Sequence, residues 1–389
     1  MMTLITDNDT LLAFCESLEG SAYITVDTEF LREKTYWPLL CLLQIGGPKD
    51  AAAIDTLAPD IDLTPVYKLF DDQAILKVFH AGRQDLEIFY NLCARLPTPV
   101  FDTQVAAMVC GFGDSIGYEH LVAKLAGKRV DKSSRFTDWS LRPLSQKQID
   151  YALSDVIHLR PVYEKLADML HTNNRAGWID QEMATLTRLE TYAGHPELAY
   201  KRIKGRAPSG RYLAVLRELA AWREREAQRR DVPRNRVLRD EALIEIAHHT
   251  PDSIAQLSRT RGLGAKTAEG RYGRELLEAV KIGQSVADED CPTPQEKRDL
   301  PRGLGPVTEI LKVLLKMKCE EFDVAGKLLA NSADVEQIAA FGENADVAAL
   351  KGWRREVFGE DALKLRAGEL SLTIDRKKLI LTPRSLAAD

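Results

Sequence analysis

Asp27 and Glu29 stand two apart in Val26-Asp27-Thr28-Glu29-Phe30, at the end of an apolar, β-rich run. Residues two apart on a strand share a face, so this spacing projects two carboxylates together from the rim of a sheet. Like charges side by side destabilise a fold unless a cation binds them. Tyr151 and Asp155, within Tyr151-Ala152-Leu153-Ser154-Asp155, are spaced i,i+4 and stand one above the other on a helix. Asp85 follows another apolar run and falls in the first turn of a helix. Carboxylates without His or Cys favour hard, oxygen-seeking ions such as Mg²⁺ or Mn²⁺. Each piece also has a plainer account of its own. A D-x-E pair is commonly solvated surface, a helical Tyr is commonly half-buried packing, and an acid in a first helical turn complements the dipole.

Holding such a set requires strands and helices in alternation, and residues 1–195 carry that pattern. Apolar, β-rich runs fall at 22–26, 39–45, 51–54 and 75–79, with a short fifth starting at 100. Short turns between the first runs predict antiparallel neighbours, and Gly46-Gly47-Pro48 closes the second. Helical spacing covers 84–92, 103–110, 119–126 and a long segment from 146 to about 170. The pattern predicts an α/β domain, a mixed sheet flanked by helices.

From Pro208 onward strand signals nearly vanish. Tyr212, Val215, Leu216, Leu219 and Trp222 mark one helical face at spacings of three and four. Pro233, Pro251 and Gly262-Leu263-Gly264 punctuate further short helices. A linker rich in Pro and charge is expected at 288–302. A shift of 92 positions then lays Asp231-Val232-Pro233 on Asp323-Val324-Ala325, and Leu243, Ile246 and Ala247 on Val335, Ile338 and Ala339. This faint internal repeat predicts two related helical bundles. Residues 370–381 alternate apolar and polar and suit a short hairpin. The expected domains are 1–195, 208–286 and 295–372.

Taken together, the four carboxylates and Tyr151 resemble the DEDD exonuclease superfamily in its tyrosine-containing branch, and more closely the ribonuclease D family. The resemblance rests on VDTEF (26–30), TYWPLLCLLQIG (35–46), FHAGRQDLEIF (79–89), FDTQVAA (101–107) and YALSDVIHL (151–159). Residues 118–139, with Leu121, Leu125 and Trp139, fit as well. It implies a ribonuclease H-like fold and a 3′→5′ exoribonuclease releasing nucleoside 5′-monophosphates, with a part in tRNA maturation in a bacterial cytoplasm. The implied cofactors are two divalent ions, which together activate a water and stabilise the leaving oxygen. By the family pattern Asp27 bridges both ions, Glu29 and Asp155 hold the one that activates water, and Asp85 helps hold the other through water. Tyr151, with an ordinary pKa near 10, is a poor base at neutral pH and is expected to orient the water. His80 is a tempting base, yet a histidine beside a buried strand is more often structural. The helical segments resemble HRDC domains: the first through 213–219, Trp222-Arg223, Ala227, Pro233, 238–246 and Pro251, the second mainly through position and helical pattern, since Leu314-Leu315 replaces the Trp-Arg pair.

Charge is uneven along the 389 residues. The net value is −5, but residues 1–207 carry 22 Lys and Arg against 28 Asp and Glu, whereas 208–283 carry 15 against 11. The strongest basic stretch, 201–236, holds 12 against 4. Arg223, Arg225, Arg229 and Arg230 are therefore candidates to bind RNA phosphates, with pairing to Glu224 and Glu226 as the competing account. Gly262-x-Gly264 offers backbone N–H groups to a phosphate or simply joins two helices. The six scattered cysteines form no C-x-x-C pair, which disfavours a zinc site or a disulfide framework and favours a reducing compartment. No apolar run approaches the ~18 residues of a membrane span, the N-terminus lacks a secretory pattern, and no obligate protein partner is indicated. RNA, above all tRNA precursors and other small structured RNAs with single-stranded 3′ ends, is the expected partner. A DNA 3′→5′ exonuclease and a catalytically inactive RNA-binding scaffold are the alternatives. The first is separated by parallel RNA and DNA digests, the second by metal dependence.

Overall fold

The computed structural model describes residues 2–131, 133–134, 136–205, 207–294, 301 and 303–384. Much of the expected linker, 295–300 and 302, and with it the expected start of the second bundle, lies outside the described residues. Six strands, β1 (Met2–Ile5), β2 (Tyr23–Leu31), β3 (Leu39–Gly46), β4 (Ala51–Ile54), β5 (Leu76–Phe79) and β6 (Val100–Asp102), form one sheet in the order β1-β4-β3-β2-β5-β6. The β2-β3-β4 run is antiparallel, as the short turns predict. The β2-β5-β6 run is parallel, and β1 pairs in parallel with β4. β1 was not anticipated: four residues carry too little periodicity to stand out, and the partner strand is some fifty positions away.

Apolar side chains on one face of the sheet, Ile24, Val26, Leu43 and Ile45 among them, are covered by α1 (Asn8–Ser17), α2 (Thr64–Asp71) and α3 (Arg83–Cys93). The other face is covered by α4 (Thr103–Val109), α5 (Tyr118–Ala126) and α6 (Gln146–Thr172), followed by α7 (Ala176–Leu186). Helix α6 starts where Ser145 and Gln148 form a capping box, satisfying N–H groups that the helix start leaves unpaired. It then buries Ala152, Leu153, Val156 and Leu159 against the sheet and its neighbours.

The remainder is helical except for a closing hairpin. The first bundle comprises α8 (Gly210–Arg230), α9 (Arg234–Val237), α10 (Asp240–His249), α11 (Ile254–Leu257), α12 (Ala265–Glu269) and α13 (Arg271–Ser285). The second opens with α14 (Gly305–Phe322), α15 (Gly326–Leu329) and α16 (Ser332–Phe341). The 92-residue offset carries α9 onto α15 and α10 onto α16 with both ends in register. Asp231 and Asp323 end α8 and α14 in the same left-handed conformation, with φ of 49° and 46°. The second bundle continues through α17 (Gly352–Arg354), a π turn at Arg355–Gly359 and α18 (Glu360–Ala367) to the hairpin β7 (Leu370–Asp375) and β8 (Lys378–Pro383). Among the described residues no helix is long and apolar enough to cross a membrane.

Both bundles dock on the sheet domain through those equivalent helix ends. Asp231 Oδ1 accepts from the N–H groups of Tyr36 and Trp37, each at 3.0 Å. Asp323 lies against Gly111, whose φ is +80° and where a Cβ would meet the carboxyl at 2.3 Å. Ala325 N donates to Met108 O at 2.9 Å, and Trp178 stacks on Trp353 at 4.3 Å. One expectation for α8 is corrected. Arg223 does not lie on a solvated face: it is 3% exposed, and its Nη1 donates to Leu238 O at 2.9 Å and Asp240 at 2.6 Å. Only Arg225, Arg229 and Arg230 of the four are exposed.

Within the first bundle α8 and α13 nearly touch at Gly283, where a Cβ would fall 2.5 Å from Val215 Cα and 2.9 Å from its N. Both contacts are backbone, so no rotamer change relieves them. Gly283→Ala should lower stability by about 1–3 kcal/mol, the usual cost of overpacking, read as a lower urea midpoint. An unchanged midpoint would contradict this helix contact.

Candidate active site

Thr25, Asp27 and Glu29 alternate along β2 toward the face covered by α6. Thr25 Oγ1 donates to Val156 O at 2.8 Å. That bond fixes α6 against β2 one residue beyond Asp155, and so sets the aspartate over the strand. The result is a cluster: Asp27, Glu29 and Asp155 each place a carboxylate oxygen within 4.8 Å of the others. Asp155 is buried, and Asp27 and Glu29 are half-buried.

Asp85 reaches the site from the opposite face of β2. It lies in the first turn of α3, is 7% exposed, and accepts a short hydrogen bond from the Thr28 hydroxyl. Thr28 is the residue between Asp27 and Glu29, so one strand addresses three carboxylates on two faces. Asp85 does not join the three-carboxylate cluster. It is close enough that its charge, with those of Asp155 and Glu29, raises the Asp27 pKa. Loss of water is the larger cause, and together these push Asp27 well above the ordinary carboxyl value. Burial pushes Asp85 up to about 6, partly opposed by the Thr28 hydroxyl.

Tyr151 precedes Asp155 by one helical turn and lines the same cleft, with its ring 6.1 Å from that of Trp139. The cleft holds about 330 Å³ and is also walled by His80, Gln104, Tyr118, His120 and Val130, within the size range of sites for small ligands. His80 Nδ1 lies 3.0 Å from Thr103 Oγ1, and its ring centre is 5.3 Å from that of Tyr118. Burial lowers its pKa, so the ring is held neutral inside the wall.

Three supporting residues were not marked as functional by their own type or spacing, although Asp102 and Gln44 fall within the FDTQVAA and TYWPLLCLLQIG segments. Asp102 caps α4 and also accepts from Ala81 N and Gly82 N at 3.0 and 2.9 Å, which shapes the turn leading into α3 and Asp85. An Asp-Thr at a strand-to-helix junction is a readable N-cap, but its second grip spans twenty residues. Arg142 forms a two-point ion pair with Asp55 at 2.6 and 2.7 Å. It also donates to Trp139 O at 2.7 Å and Cys41 O at 2.8 Å. Cys41 is the extra residue of a β-bulge, since Glu29 pairs with Leu42 and Phe30 with Leu40. Bulges beside active sites re-aim side chains, and Arg142 pins this one next to Glu29. Gln44 faces Asp27 across the β2-β3 pair and is fully buried.

An all-carboxylate donor set, crowded and partly dehydrated, suits hard divalent cations: the repulsion that raises these pKa values is what a cation relieves. Comparison with known proteins points the same way. A 3′-5′ exonuclease family model matches residues 2–171, and an HRDC domain model matches 212–280. Ribonuclease D of Granulibacter bethesdensis is 50% identical over 97% of this chain and 96% of its own length. That of Nitrobacter hamburgensis is 46% identical over 99% and 100%. The crystal structure of Escherichia coli RNase D, described as an exoribonuclease involved in structured RNA processing, superposes with a TM-score of 0.78 at 31% identity, covering 94% of this chain and 98% of that one. The chain belongs to the ribonuclease D family of metal-dependent 3′→5′ exoribonucleases.

Proposed function

We propose that Asp27, Glu29, Asp85 and Asp155 hold two divalent ions, Mg²⁺ or Mn²⁺, and that the chain trims tRNA precursors and other small structured RNAs from single-stranded 3′ ends in a bacterial cytoplasm. The carrying observation is the convergence of Asp27, Glu29 and Asp155 within 4.8 Å, with Asp85 tethered behind them by Thr28. When bound, a pair of such ions supplies an activated water and stabilises charge on the leaving oxygen. Asp27, placed among the other three acids, would be the ligand shared between the ions, with Glu29 and Asp155 available to one and Asp85 to the other. The Tyr151 hydroxyl, at the cleft wall one turn from Asp155, orients the attacking water by hydrogen bonding. The cleft between His80, Tyr118 and Tyr151 receives the terminal nucleotide.

The domains assigned to this work are 1–195 for cleavage, 208–286 for RNA binding and 295–372 as the second bundle. Arg225, Arg229 and Arg230 remain the phosphate-binding candidates on α8. Arg229 is engaged by Glu226 at 2.7 Å and Arg230 by the Tyr272 hydroxyl at 2.6 Å. The single bond from Arg230 is weak enough to yield to a phosphate, whereas two bonds to the buried Glu226 carboxylate hold the Arg229 guanidinium in place.

Digestion of 5′-labelled single-stranded RNA in Mg²⁺ or Mn²⁺ should give products shortened stepwise from the 3′ end, with slower or no digestion of the matching DNA. Early internal fragments, or equal digestion of DNA, would contradict the reading. Asp27→Asn should lower turnover by orders of magnitude, and activity near that of the parent would remove Asp27 from the metal site. Tyr151→Phe should lower kcat with little change in RNA affinity. An unaltered kcat would make Tyr151 a packing residue.

A further inference from the structure

Strand β2 runs on past Glu29 into the loop 32–38, and Arg32 lies three residues beyond Glu29, about 10 Å along an extended chain. There a second cleft, of about 370 Å³, opens between the sheet domain and the first bundle. Arg32, Arg202, Arg223 and Arg234 line it, together with Tyr36 and Asp240. These four guanidinium groups come from four segments: the β2-β3 loop, the stretch ahead of α8, α8 itself and α9. No single helix face explains such a gathering.

Glu224, buried, is taken up by Arg234 at 2.5 and 2.7 Å and by the Tyr36 hydroxyl at 2.5 Å. Arg223 uses Nη1 for Leu238 O and Asp240, while its Nε, in a side chain 96% buried, has no acceptor among the described residues. A buried donor in that condition destabilises the fold by its full desolvation cost. The other two cations are loosely held. Arg202 is 3.7 Å from Glu224 with its side chain 67% exposed, and Arg32 is 3.4 Å from Glu87 with its side chain 40% exposed. The four guanidinium groups share three ion-pair partners, Glu87, Glu224 and Asp240. Planar guanidinium forks match phosphate oxygens with two parallel bonds.

We propose that this interdomain cleft binds a backbone phosphate of the RNA substrate, upstream of the nucleotide at the carboxylates. Arg32 and Arg202 make the primary contacts, and Arg234 and Arg223 complete the positive wall. This rests on the exoribonuclease reading. It gives the first bundle a specific task, to close a phosphate site that the sheet domain alone leaves half built.

The test uses the full chain, with single-stranded RNA binding measured without divalent ions across a range of salt. Each lost phosphate contact should flatten the slope of log K against log[salt] by about 0.7. Arg32 and Arg202 serve one phosphate, so the double variant Arg32→Gln, Arg202→Gln should flatten it by about 0.7 and weaken binding, while Arg32→Lys, Arg202→Lys should keep most of the slope. A Gln variant with the parent's melting temperature and the parent's salt slope would overturn the proposal, as would equal slopes for the Gln and Lys pairs. If the Gln pair melts early, the single variant Arg202→Gln, at the more exposed position, decides on the same reading: a slope flattened by up to about 0.7 supports the site, and the parent's slope overturns it. Competition by inorganic phosphate that depends on these arginines while RNA binding does not would also overturn it. The parent chain's metal-dependent shortening of RNA, measured alongside, fails only if the exoribonuclease reading fails, so the two outcomes are separable.

Discussion

Three carboxylates brought within 4.8 Å of one another repel, and that repulsion governs how the sheet domain is built. A strand and a helix each deliver part of the set, so neither can relax away without breaking other bonds. The Thr25 hydroxyl holds the Val156 carbonyl, the Ser145 capping box starts α6 at a fixed place, and Ala152, Leu153 and Val156 bury the helix beneath the charges. Thr28 performs a second service on the reverse face by holding Asp85. Arg142 fixes the bulge beside Glu29 through Cys41, and the same guanidinium secures the loop bearing Trp139. The free energy set against the repulsion is spread over packing and hydrogen bonds a full layer away from the acids. Such separation of site from support is what allows strained charge to persist in a folded chain.

The helical bundles extend this frame. Equivalent aspartates, Asp231 and Asp323, end equivalent helices in left-handed turns and face the sheet domain at separate places, the β2-β3 loop and the α4 end. The loop held by Asp231 follows directly from the strand that carries Asp27 and Glu29. The first bundle is thus mechanically continuous with the carboxylates.

Spacing places Asp27 and Glu29 on one strand face and Tyr151 over Asp155 on one helix face, while the meeting of strand and helix is implied only by the family resemblance. Asp27, Glu29 and Asp155 do lie within 4.8 Å, and the 92-residue repeat survives as helices in register. What escaped notice depends on distance. Strand β1 is four residues long and owes its existence to β4, and α1 and α2 fall outside the segments where helical spacing is read. Arg223 looked like one of four surface arginines because helical spacing gives the face but not what covers it. Its partner Asp240 sits seventeen residues on, after two turns of chain that only the folded bundle brings back. Asp102 and Arg142 were invisible as site supports for the same reason.

The acids form a cation site that is strained when their charge is unbalanced, and proton linkage tests this most directly. Asp27 and Asp85 have folded pKa values above the ordinary 3.8, Asp85 at about 6. A carboxyl raised in this way holds its proton more tightly when folded. The stability it contributes is therefore complete at low pH and lost as pH rises from about 4 through 6, and further for Asp27. Other groups titrate in the same window, so the informative quantity is the unfolding free energy of Asp27→Asn minus that of the parent. In metal chelator this difference should favour the variant and grow from about pH 5 to about pH 7.5. Adding Mn²⁺ at the higher pH should reverse it, since a ligand at a hundredfold excess over its Kd stabilises the folded parent by about 2.7 kcal/mol. A difference that stays constant with pH and is unmoved by Mn²⁺ would contradict the account.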